Sequence, residues 1–161
     1  MNFPYTSEQI REIVKNTKVL RRPEILRAEK PLPFESYGER GRKIDLLLDL
    51  ADGPSLVDLR FQVRAPIFDN PETFEAALIL ASQRIRGIGW NPTGKKRLYG
   101  KQVIPKGWHL NVIDPNLPRN NPDFNRHLEI PDFVPPTDLA DLFTKAAKLW
   151  HIDIEFEKGL L

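Results

Sequence analysis

Apolar residues recur along this chain at two spacings, and the switches between them outline the predicted elements. Thr6 followed by Gln9 fits a capping box, and Ile10, Ile13, Val14 and Leu20 continue as one apolar stripe, which predicts a helix ending before Pro23. Residues 21–41 are rich in proline and charge and read as an extended crossing with a short strand at Ile25 and Leu26. The period then becomes two. Ile44, Leu46, Leu48 and Leu50 share one face of a strand; a turn over residues 51–55 returns the chain into residues 56–65, where Leu59, Phe61 and Val63 oppose Arg60, Gln62 and Arg64. After a second turn at residues 67–73, residues 74–81 read as a third strand in preference to a helix.

Residues 82–105 hold four of the nine glycines and read as a long connection, with a strong turn at Asn91-Pro92-Thr93-Gly94 and a further strand beginning at Arg97-Leu98-Tyr99. His109-Leu110-Asn111-Val112 and His127-Leu128-Glu129-Ile130 alternate polar and apolar residues, which predicts two half-buried strands joined by a polar, proline-rich link. Thr137 or Asp138 caps a last helix with Leu139, Leu142, Phe143, Ala146 and Leu149 or Trp150 on its apolar side, and the acidic end beginning at His151 reads as a short edge strand. Helix, strands, helix is α+β architecture. The expectation is a single α+β domain over residues 1–161: a mostly antiparallel sheet of five or six strands, with the N-terminal and C-terminal helices packed on one face.

Composition narrows the chemistry. A chain of 161 residues that is 40% hydrophobic and 29% charged can build a proper core. No apolar run approaches the roughly 20 residues that span a bilayer, and the first residues lack the form of a signal peptide. A soluble, cytoplasmic protein with no membrane partner is expected. The absence of cysteine excludes disulfides, thiolate metal ligands and a cysteine nucleophile. The net charge of +2 hides an asymmetry, because residues 76–113 contain no acid while Arg84, Arg86, Lys95, Lys96, Arg97, Lys101 and Lys106 supply seven positive charges. An anionic partner for the middle of the chain follows, or the acidic C-terminal part itself.

Three constellations carry candidate chemistry. If the two histidine strands pair about Pro118, His109 falls opposite His127 on one polar face, with Asn111 and Glu129 two residues along. Two imidazoles with ordinary pKa values near 6.5 serve as base and acid in metal-free ribonuclease chemistry, and Arg60 and Arg64 on a neighbouring strand would hold the phosphate. The same histidines with Glu129, Asp114 or Asp132 form a weaker, metal-ligating alternative. The third constellation is the basic segment, in which Arg84, Arg86, Lys95, Lys96, Arg97 and Lys101 would meet phosphates and Trp90, Tyr99 and Trp108 would stack on unpaired bases. GKK at 94–96 lacks the rest of a P-loop, and there is no dinucleotide fingerprint or nucleophile elbow, so no cofactor is called for.

The succession of NPTG at 91–94, a basic spacer, IPKGWHLNV at 104–112 and an acidic helix from Asp138 resembles the layout of small uncharacterised bacterial and phage proteins with an N-P-x-G turn followed by a proline and an H-x-H strand. It is more loosely similar to the TumE-like toxins of bacterial toxin–antitoxin modules. Asn111 stands where the second histidine of that strand would fall. The resemblance implies an RNA-directed role, if catalytic a metal-independent endoribonuclease of toxin type. The alternative is a non-catalytic module that binds a protein partner, antitoxin-like or phage-associated. The sequence leaves the oligomeric state open.

Overall fold

The computed structural model describes residues 3–26, 32–53, 58–91, 97–99 and 102–154, without the side chains of 97–99 and 102. Helix α1 (Ser7–Lys15) begins with the expected capping box: Thr6 Oγ1 accepts the Gln9 N–H at 3.1 Å and the Gln9 side chain accepts the Thr6 N–H at 2.8 Å. It stops at Lys15, earlier than the stripe to Leu20 implied, because the chain turns into strand β1 (Lys18–Leu20). Residues 23–25 form a 3-10 turn where a short strand was expected, and strand β2 (Glu35–Tyr37) lies farther along. Pro23 at the first position presets the turn's φ.

Strands β3 (Gly41–Leu50), β4 (Leu59–Ala65) and β5 (Glu75–Leu80) follow the alternation read from the sequence. The predicted long connection is different: strand β6 (Gln83–Asn91) occupies its first part, and β7 (Arg97–Tyr99) pairs with β8 (Gln102–Ile104) as a separate small hairpin. Most of the NPTG turn lies outside the described residues. Strands β9 (Gly107–Ile113) and β10 (Asn125–Glu129) are the two histidine strands, helix α2 (Leu139–Leu149) is capped by Asp138, and β11 (Ile152–Asp153) is the short last strand.

Among the described residues the main sheet has nine strands, more than the five or six expected, in the order β10-β9-β6-β5-β4-β3-β1-β11, with β2 added to β3. Every pairing is antiparallel except β1 with β11. Alternation divides the sheet into two faces. The buried residues Leu46, Phe61 and Leu78 form one cross-strand row, and Phe61 meets Phe143 of α2 at 5.1 Å and Trp150 edge-on at 6.1 Å between ring centroids. Ile10 and Ile13 of α1 belong to the same core cluster. On the other face of the strands stand Asp45, Arg60, Gln62, Arg64 and Glu75.

Lys18 fastens α1 to this framework. Its side chain is fully buried, and Nζ donates to the carbonyls of Ile13 (2.5 Å), Val14 (2.9 Å) and Asn16 (2.6 Å), oxygens at and just beyond the helix end that have no intrahelical donor. Burial lowers its pKa to about 8. An unfolded lysine titrates near 10.4, so between these values the unfolded chain holds more protons and stability rises with pH. Lys18→Met should cost about 2 kcal/mol at pH 7, since three carbonyls lose their donor while a desolvation penalty is relieved. Urea denaturation should show the gap to the native protein widening from pH 8 to about 10; a narrowing gap would contradict this assignment.

Candidate functional site

Strand β9 lies between β6 and β10, and its alternation sends Trp108, Leu110 and Val112 to the apolar face and His109 and Asn111 to the polar one. The register against β10 differs by two residues from pairing about Pro118: His127 is opposite Asn111, and Glu129 is opposite His109. The link between the strands is pinned off-centre, with the Asp114 N–H donating to the Phe124 carbonyl at 2.6 Å and a 3-10 turn over Pro122–Phe124. A slip of two keeps the face. His109, Asn111, His127 and Glu129 therefore still gather on the polar side, with the two imidazoles 5.3 Å apart between centroids and inclined at 56°.

The environment differs between these groups. His109 is 7% exposed and Asn111 8%. His109 Nδ1 lies 3.2 Å from the Gly107 carbonyl oxygen, so Nδ1 carries the proton in this bond and Nε2 keeps its lone pair. Burial lowers the His109 pKa below 6.5, outweighing the opposite influence of the Gly107 hydrogen bond. The imidazole is thus neutral at pH 7 and available as a base. Beside it, Asn111 Oδ1 is buried without a hydrogen-bond partner among the described residues.

Glycine shapes the opening. Gly89 is the cross-strand neighbour of His109, and among the described residues a Cβ there would meet nothing within 4 Å, so that open space adjoins the imidazole. Gly107, whose carbonyl fixes the ring, has φ +78°, and its missing side chain leaves room for Trp90, which a Cβ would approach to 3.2 Å. Neither glycine was singled out from sequence. The available signal was Gly87 and Gly89 two apart, a period-two gap in side chains facing Asn111 and His109.

The remaining candidates do not form one surface. Arg60 is engaged by Asp58 at 3.0 Å and Asp45 at 3.3 Å, and Arg64 by Glu75 at 2.6 Å and Tyr37 Oη at 3.2 Å. Both lie on the polar face, but their charges are already met by acids. Arg84 lies near the same Glu75, at 3.9 Å. Arg86 is on the other face, because β6 bulges between its pairings to Leu78 and Ile79. Trp90 also belongs there, edge-on to Trp108 at 5.7 Å, with Trp108 in turn against Phe133. Those two indoles pack away from the histidines and do not stack beside them. Arg97 and Tyr99 fall on β7, and Lys95, Lys96 and Lys101 lie outside the described residues.

Among the described residues no three His, Asp or Glu side chains are grouped to hold a metal ion, which removes the ligand set of the two histidines with Glu129, Asp114 or Asp132. No described helix is long and apolar enough to cross a membrane. Comparison with protein-family models, curated proteins and solved structures finds no match for this chain.

Because the unfolded chain protonates this histidine near pH 6.5 while the folded one resists, the unfolded state holds the extra proton as pH falls, and folding stability drops there. His109→Gln removes that contribution. Below pH 6.5 native stability should fall more steeply than that of the variant in parallel urea titrations; superimposable slopes would rule out a neutral, buried His109.

Proposed function

We propose that the polar face around His109 and His127 binds RNA and cleaves it by metal-independent general acid–base catalysis. The observation that carries this reading is the side-by-side pair of imidazoles, one of them buried, neutral and oriented through Nδ1, next to an open space and an unsatisfied acceptor. In the proposed step His109 Nε2 takes the proton of a ribose 2′-hydroxyl, and the 2′-oxygen attacks the adjacent phosphorus. The bond from phosphorus to the 5′-oxygen breaks, that oxygen takes a proton from the His127 imidazolium, and a 2′,3′-cyclic phosphate remains. Asn111 Oδ1 accepts from a hydroxyl or amino group of the bound nucleotide, which favours a nucleoside-bearing ligand over bare phosphate. In this reading both helices cover the opposite face, and the protein works in the cytoplasm.

The neutralised arginines matter here. With Arg60 and Arg64 held by Asp45, Asp58 and Glu75, backbone phosphates are met by the basic segment around β7 and β8, and affinity carries a strong salt dependence.

A second reading has one specific observation behind it: a groove lined by Ile130, Phe133, Val134 and Leu149, with Lys145 and Lys148 against one acid, Asp132. It would take an acidic, partly apolar segment of a protein partner.

Labelled single-stranded RNA, followed by anisotropy at two salt concentrations and then on denaturing gels, separates the two. Binding should weaken steeply with salt, and cleavage should persist in chelator. His109→Ala should lower the cleavage rate by about 10²- to 10⁴-fold while affinity changes little. Gly89→Ala, whose Cβ would meet nothing within 4 Å among the described residues, should impair binding while leaving stability within about 0.5 kcal/mol. No binding at low salt defeats the RNA reading, and retention of an acidic peptide that Val134→Asp releases supports the second.

A further inference from the structure

The apolar row of the sheet changes character at its far end. Leu46, Phe61 and Leu78 continue across β6, β9 and β10 as Arg86, Val112 and Arg126, so two arginines stand on the face that elsewhere builds the core. Arginine is seldom buried unless paired. Arg86 is half-buried, and its described hydrogen bond goes to the Ile85 carbonyl at 2.8 Å, with no carboxylate within 4 Å among the described residues. Arg11 of α1 comes down over it, close enough that burial first and then the Arg11 charge lower the Arg86 pKa. It remains a cation at neutral pH.

Arg11, Arg86 and Arg126 line one cavity of about 270 Å³, together with Ser7 from the first turn of α1. Asp114 contributes a carboxylate to the same wall, but its Oδ1 accepts the Asn116 N–H at 3.0 Å and it makes no ion pair with the arginines. The positive charge is therefore in excess on the cavity wall. The fold holds cations together at a cost, and an anion in the cavity would remove that cost.

We propose that this cavity, on the opposite face from the histidines, is a binding site for a small molecule bearing a phosphate group, gripped by Arg11, Arg86 and Arg126. Three forked donors match the oxygens of a phosphate, which a single carboxylate ligand could not occupy fully. The positive end of the α1 dipole at Ser7 favours the same charge. At about 270 Å³ the space lies below the 300–1,000 Å³ of sites that enclose drug-sized ligands, so the ligand is compact. The site is independent of the proposed cleavage of RNA.

Calorimetric titration of the full chain with inorganic phosphate, against chloride at equal ionic strength, tests the site. Phosphate should bind, and Arg11→Ala and Arg126→Ala should each weaken it at least tenfold; both residues are exposed, so the variants keep the fold. His109→Gln should bind phosphate as the native protein does, which separates this site from the histidine face. Dinucleotides with a 5′-phosphate or a 5′-hydroxyl identify the source: preference for the phosphorylated one over free phosphate assigns a nucleic-acid end, and no preference assigns a free phosphorylated metabolite. Absence of phosphate binding, or affinity unchanged in both arginine variants, overturns the proposal.

Discussion

Cross-strand pairing of β9 with β6 on one side and β10 on the other decides what the candidate residues of these three strands can reach. Side chains alternate with a period of two, so once Gly89 lies opposite His109 and Asn111 opposite His127, the whole distribution of charge and aromaticity follows. Histidines, Asn111 and Glu129 share one face. Trp90, Trp108, Arg86 and Arg126 share the other. A segment that is uniformly basic in sequence is thereby cut into two surfaces, and each surface needs its own chemical explanation.

The polar face illustrates how charge is managed on the side of the sheet away from the main core. Arg60 and Arg64 sit beside Asp45, Asp58 and Glu75, where half-exposed pairs contribute little to stability but keep cations from repelling one another. The histidine end of that face is different, because burial there acts on a neutral imidazole and an unpaired amide oxygen. An unsatisfied buried acceptor costs free energy, typically about 1–3 kcal/mol.

Much of the fold was legible. The capping box at Thr6 and Gln9, the alternation of β3 and β4, and the stripe of α2 all declare themselves because local physics and tertiary packing agree. Strand β6 was not legible: its glycines weaken the strand signal, and the bulge puts Ile85 and Ile88, three residues apart, into the same core. Strands β1 and β11 are three and two residues long, too short to show a period. The shared face of the candidate histidines was legible but their register was not, since the number of residues in a loop does not reveal where its hydrogen bonds pin it. Pairing the arginines with acids, and the placing of Arg11 and Arg126 with Arg86 around one cavity, are tertiary facts that no spacing announces.

The most direct test of the histidine face is the protonation state of His109, read by long-range proton–nitrogen NMR of the imidazoles across a pH titration. This arrangement predicts that His109 is protonated on Nδ1 at pH 7, titrates below 6.5 and shows close contacts to the His127 ring. A proton on Nε2, or a titration at or above 6.5, would contradict it.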